Sequence, residues 1–172
     1  MKIKRVFLVC CFLVSALGFA AEPETEFVDL GLSSGKLWAT SNIGAKSAED
    51  AGTYYAWGEW SKDVNIPTAA DVEELQSACD WSYETLNGKT VACAKSKANG
   101  NKIYFPFCGY KKEEVKNAEH FGSIWTSSEG ENNTAYYFLY YNVETLPNHD
   151  TTYVGGSAKT KGRNVRAVKT SK

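Results

Sequence analysis

Glycine and aromatic punctuation constrains this chain more than any other feature. It reads Phe27-Val28-Asp29-Leu30-Gly31-Leu32, then Leu37-Trp38-Ala39-Thr40, then Tyr54-Tyr55-Ala56-Trp57-Gly58-Glu59. Downstream the pattern is one of short strands with a single convincing helix. Pro67-Thr68 followed by Asp71 is a capped start, and Val72, Leu75 and Cys79 then recur at helical spacing, which predicts a helix over about 68–79. Lys89–Ala94 and Lys102–Phe107 flank Asn99-Gly100, a hairpin signature whose residues tolerate positive φ. Ile124–Ser127, Ala135–Tyr141 and Asn164–Val168 read as further strands from their β-branched and aromatic content, and the tail after Lys169 as frayed. Ser47-Ala48-Glu49-Asp50 starts like a helix, but Gly52 stops it within about a turn. The fold class is therefore α+β, with short antiparallel strands.

Residues 1–20 read as an address. Lys2, Lys4 and Arg5 form a basic start, Val6–Leu17 an apolar stretch too short to span a bilayer, and Gly18-Phe19-Ala20 a cleavage site for a signal peptidase. Cys10 and Cys11 do not form a lipobox, because the apolar stretch before them is too short and Cys10 sits where a small residue is needed. The expectation is an exported protein, cleaved near Ala20 and destined for the periplasm, the cell surface or the medium, with a single domain over 21–172. Without residues 1–20 the 19 basic and 20 acidic side chains become 16 and 20, a net charge of −4. That balance disfavours nucleic acid as a partner, since phosphate binding needs a basic face. No transmembrane segment is expected in the mature chain.

Three cysteines remain after export: Cys79, Cys93 and Cys108. An oxidising compartment can pair two of them and leave the third, or all three are buried free thiols acting as small hydrophobes. Both readings stand on the sequence. Their loose spacing, with only two histidines, disfavours zinc.

The blocks VDLGLSSGKLWATSNIGA, EDAGTYYAWGE, IPTAADVEEL, NGNKIYFPFCGYK, WTSS, AYYF and GRNVRAV, in that order from about residue 27 to 168, resemble the Fibrobacter succinogenes major paralogous domain family. That family is similar in turn to the sulfatase-modifying-factor and C-type-lectin-like folds. The resemblance implies a lectin-like scaffold, a main helix opened by Pro67-Thr68, a closing strand at Asn164–Val168, and an exported or surface protein. The chain departs from the family pattern at Trp60–Asn65, where a longer insert with a basic residue is usual and Asn65 stands in that residue's place.

No catalytic residues are expected. Sulfatase-modifying enzymes use paired cysteines near the end of their domain, and nothing after Cys108 is a cysteine. His120 and His149 read as solvated loop residues, since Asp150 beside His149 points away from it in an extended loop. Binding is the better expectation. Glu129-Gly130-Glu131-Asn132-Asn133 resembles the loop with which C-type lectins hold calcium and sugar hydroxyls, which makes Glu129, Glu131 and Asn132 weak calcium candidates, although the proline of that motif is missing. The stretch 129–162 mixes Tyr with Asn, Thr and Gly as binding loops do. Alternation in Ala135–Tyr141 separates Tyr136, Phe138 and Tyr140 from Tyr137, Leu139 and Tyr141. The second set is assigned to the core because it holds Leu139, leaving Tyr136 and Tyr140 for a ligand, with Asn142 beyond and Trp60 as a separate exposed aromatic. The implied partner is a carbohydrate or a surface protein. The alternative is an assembly component of the cell envelope with no small ligand. Aromatics inside the family blocks, Trp38, Tyr55 and Trp57, are expected to build the fold.

Overall fold

A computed structural model describes residues 25–171; the export signal read over 1–20 lies outside them. Strands β1 (Phe27–Asp29) and β2 (Lys36–Ala39) pair antiparallel, and a turn-rich stretch over 40–68 leads to the helix α1 (Ala69–Ala78). The strands β3 (Cys79–Leu86), β4 (Lys89–Ser96) and β5 (Lys102–Pro106) follow as an antiparallel meander. After a small hairpin of β6 (Tyr110–Lys111) and β7 (Val115–Lys116) come β8 (Phe121–Glu129), β9 (Thr134–Tyr141) and β10 (Thr152–Ala158), a second antiparallel meander with β9 in the middle. The last strand, β11 (Val168–Thr170), returns to the first sheet and pairs with β2. The domain is α+β, with several small antiparallel sheets and one short helix.

The helix begins where its cap chemistry dictates. Thr68 Oγ1 accepts from the Asp71 amide, and the Asp71 carboxylate accepts from the Thr68 amide. The β8 bulge holds this end in place: the Ala69 amide donates to Ser128 Oγ, and the Ser127 amide to the Pro67 carbonyl. Val72, Leu75 and Cys79 all turn inward, as their spacing predicts. The β4–β5 hairpin also falls at Asn99-Gly100, where Gly100 takes the positive φ. A second Asn-Gly turn, Asn87-Gly88 with φ of 47° and 80°, joins β3 to β4 and was not read from the sequence.

The main core lies between α1 and the inner faces of the two meanders. Trp38, Phe105, Phe138 and Tyr140 pack there with Val72, Leu75, Ile103 and Ile124. Phe105 contacts Trp38, Trp81, Phe138 and Tyr140 at ring-centre distances of 6.4, 5.6, 5.6 and 5.4 Å. Aromatic pairs in this range add to the burial term. A second cluster around Trp125, Ile66, Val165 and Ala135 takes in Tyr55, Trp57 and Trp60. The indole of Trp57 donates to the Thr126 carbonyl and that of Trp125 to the Tyr55 carbonyl, so the early aromatic blocks are stitched to β8.

Three expectations are corrected, and the open choice between a disulfide and free thiols falls to the second. Residues 164–167 form no strand. This segment threads the middle of the molecule instead, and its bonds go to different neighbours: Trp125 N to the Asn164 carbonyl, Ile43 N to that of Val165, Ala39 N to that of Ala167. Only Val168–Thr170 joins a ladder. The tail does not fray at Lys169, because Thr170 pairs with Lys36 and the Ser171 amide donates to the Gly35 carbonyl. No disulfide forms: Cys79, Cys93 and Cys108 are free and buried. In β9 the assignment is corrected for Phe138 and Tyr140, while Leu139 is buried and Tyr136 exposed as read from the sequence. Phe138 and Tyr140 enter the main core, because Gly122 lies opposite Tyr140 and leaves room for its ring; a Cβ there would sit 2.1 Å from Tyr140 Cε2. Tyr137 and Tyr141 lie half-buried on the outer face with Leu139 between them.

Candidate functional site

The residues singled out from the sequence do not converge. Tyr140 is fully enclosed and donates its hydroxyl to the Pro106 carbonyl, so no ligand reaches it. Asn142 is buried, donates to the Glu119 carbonyl and accepts from the Glu144 amide, roles that set the start of the 142–151 loop. Trp60 is a lid on the second cluster, edge-on to Trp57 at 5.9 Å. Glu129 accepts from Lys159 Nζ at 2.6 Å. Glu131, Asn132 and Asn133 form the exposed β8–β9 turn, with both asparagines at positive φ and the Thr134 amide closing onto the Glu131 carbonyl. Tyr136 is 41% exposed but stands alone at the start of β9. Among the described residues no three His, Cys, Asp or Glu side chains are placed to hold a metal.

One hollow, a cleft of about 560 Å³, is lined by Tyr54, Lys89, Cys108, Glu119, Asn142 and Glu144 among others. Its polar groups are committed to one another. Tyr54 Oη donates to the Cys108 carbonyl, the Cys108 thiol to Asn164 Oδ1, and Lys89 pairs with Asp50. Burial pushes the Cys108 thiol up to about 11, far from a reactive thiolate. The cleft is a seam where loops are tied together.

The outer face of the β8–β9–β10 sheet is different. Alternation places Phe121, Ser123 and Trp125 of β8, Tyr137, Leu139 and Tyr141 of β9, and Tyr153 and Gly155 of β10 on one side, where Ser123, Trp125, Leu139 and Gly155 are buried, Phe121, Tyr137 and Tyr141 half-buried and Tyr153 exposed. Tyr153 is the most exposed large ring, at 54%. Gly155 is required beside it: a Cβ would meet Tyr153 Cε1 at 2.7 Å and Tyr137 Oη at 3.1 Å. The rings run on as a ledge. Tyr141 meets Phe121 at 6.1 Å, Phe121 stacks on Tyr110 at 6.2 Å with planes 10° apart, and His149 lies 4.4 Å from Tyr141. Burial raises the Tyr141 phenol, with Tyr137 and Tyr153 adding to the shift, so the three hydroxyl-bearing rings are close enough to sense one another.

Two buried arginines from the GRNVRAV block end near these surfaces, and they differ. Arg166 is fully buried and engaged, donating from Nε to Asn42 Oδ1 at 2.9 Å and from Nη1 to the Tyr104 carbonyl at 2.7 Å, with its guanidinium 4.4 Å from the Phe105 ring. Arg163 is 3% exposed and caged by rings, 3.5 Å from Tyr137, 5.1 Å from Trp125 and 5.9 Å from Tyr110, and its Nε has no partner. Burial lowers both guanidinium groups to about 10, with nearby Tyr hydroxyls pulling back, so each stays charged at neutral pH.

Comparison with family models, curated proteins and solved structures returned no match. Among the described residues no helix is long and apolar enough to cross a membrane. Sequence reasoning saw the tyrosine-rich strand and the burial of Leu139, but left Tyr140 for a ligand where it lies in the core. It did not place Tyr153 on this face because β10 was not recognised, nor Arg163 beside it because a cation inside GRNVRAV reads as part of the fold.

Proposed function

We propose that this protein is an exported, non-catalytic binding module and that the tyrosine ledge on the outer face of β8–β10 holds a carbohydrate chain. The observation that carries the reading is Tyr153, more than half exposed on a strand beside Tyr137 and Tyr141, with Gly155 letting the rings of Tyr153 and Tyr137 lie over the strand. A ring held by a strand gives apolar contact area at low entropic cost, and its hydroxyl is a polar tip for a sugar. An open ledge suits a chain better than a closed pocket suits it. Assignment to the Fibrobacter major paralogous family, with its lectin-like scaffold, belongs to this reading and is supported by the seven ordered blocks and the capped Pro67-Thr68 helix start. Export rests on residues 1–20.

A glycan array followed by calorimetric titration of its hits tests the ledge. Tyr153→Ala is expected to weaken a hit about tenfold, since losing one central ring costs on the order of 1–2 kcal/mol, without lowering the melting temperature. Tyr136→Ala, on the opposite face of β9, should bind as the parent does. Unchanged affinity in Tyr153→Ala would remove the ledge as the site, and a silent array would leave the envelope-assembly reading in its place.

A further inference from the structure

The ledge has a cationic rim that the fold itself does not use. Lys161 Nζ lies 5.2 Å from the Tyr110 ring, on whose margin Arg163 also stands, and Lys111 is bridged through its backbone to Gly162. Among the described residues none of Lys111, Lys161 and Arg163 has a carboxylate within 4 Å, which is also true of Lys46, Lys62, Lys95, Lys112 and Lys169; what sets the three apart is that they meet around Tyr110 and Gly162. This concentration of free cations sits in a chain whose acidic residues outnumber its basic ones once residues 1–20 are set aside.

Arg163 is the informative member. Enclosing a guanidinium costs several kcal/mol unless it is paired, and ring faces return only part of that. Arg166 meets most of the cost with two hydrogen bonds, to Asn42 and the Tyr104 carbonyl, and leaves its Nη2 without a partner. Arg163 has weaker partners: Nε is sealed without one, and the side-chain oxygen beside its outer nitrogens is the Tyr137 hydroxyl, a neutral phenol. A planar fork fixed by aromatic rings, with a phenol and no carboxylate beside its outer nitrogens, is arranged for a bidentate oxyanion. It adjoins Tyr137, whose hydroxyl reaches Gly155 beside Tyr153.

We propose that the ledge takes an acidic saccharide, whose carboxylate or sulfate meets Arg163 under the flanking charges of Lys111 and Lys161 while its ring faces lie on Tyr137 and Tyr153. The inference rests on the reading of the ledge as a carbohydrate site, and adds the charge of the ligand to it.

The test is calorimetric titration of the full chain with three probes: an oligogalacturonate hexamer, a heparin-derived hexasaccharide and neutral cellohexaose. The acidic probes should bind at least about tenfold more tightly than cellohexaose, with affinity falling several-fold between 50 and 300 mM salt. Preference between the first two tells carboxylate from sulfate, and either supports the inference. Arg163→Gln should abolish the acidic preference. Should that variant fail to fold, Lys111→Ala/Lys161→Ala, altered only at the rim, must still weaken the acidic probes about threefold and flatten their salt dependence. Cellohexaose binding as well as or better than the acids overturns this inference and spares the carbohydrate reading. If all three probes are silent and a poly-glutamate peptide binds, both fall.

Discussion

At the scale of single residues the clearest consequence of the structure is at Asp71. Its carboxylate closes the cap with Thr68 and pairs with Lys36 Nζ at 2.5 Å, joining α1 to β2. Burial pushes the carboxyl up, but the Lys36 ammonium and the Thr68 bonds outweigh it and hold the group below its ordinary 3.8. A depressed folded value means that the native state binds fewer protons than the unfolded chain. The stabilisation is then complete above about pH 4 and is lost as pH falls through the folded value. Asp71→Asn should therefore cost about 1–3 kcal/mol at pH 7, and the gap to the parent should narrow as pH falls below about 4. Urea midpoints from pH 7 to 3 measure this. Parallel curves for the two proteins would show that the ion pair and cap do not carry the shift. Thr68 and Asp71 were legible because a capping box is local in sequence. The partner Lys36 was not, since only the fold brings β2 to the helix start.

At the scale of elements, the two meanders differ in how their faces were decided. In β4–β5 the alternation alone suffices, with Ile103, Phe105 and Phe107 inward and Lys102 and Tyr104 outward. In β9 both faces are aromatic, so the deciding information lies in the neighbouring strand: Gly122 opposite Tyr140 makes the hollow that one face fills. Gly122→Ala is expected to destabilise the protein by about 2–4 kcal/mol through overpacking, and Tyr140→Leu in the same chain should recover part of the loss. A Gly122→Ala protein with an unchanged urea midpoint would refute this account of the face. The same reasoning explains what the sequence conceals. The helix, the Asn99-Gly100 hairpin, β8 and β9 show in local chemistry. By contrast, β10 carries Gly155-Gly156, which dilutes its strand character, and residues 164–167 look like a strand because they are apolar and extended, although their hydrogen bonds are shared out among several segments. The candidate site was half legible for this reason: the tyrosines of β9 were visible, but the glycines that decide which of them face outward act across strands.

At the scale of the whole molecule, the three thiols report whether these small sheets behave as one unit. Cys79 lies in the main core where α1 runs into β3, Cys93 faces Tyr104 across β4 and β5 outside that core, and Cys108 is tied to Asn164 in the central segment. Burial pushes all three thiols up, Cys79 and Cys108 to about 11, with Glu84 adding to the shift at Cys93. At pH 8 a thiol of that kind carries about a thousandth of its thiolate form, so alkylation waits for the structure to open. The central segment 164–167 bonds to parts of the first sheet, the early loops and β8 together, which leaves little for any one sheet to do alone. Pulsed iodoacetamide labelling through a urea series, read by peptide mass for each cysteine, should accordingly give three coincident midpoints that also match loss of the tyrosine and tryptophan fluorescence signal. An earlier midpoint at Cys93 alone would mean that β3–β4–β5 opens as a separate unit, and the ledge on β8–β10 would then have to be treated as carried by a smaller cooperative body than the whole domain.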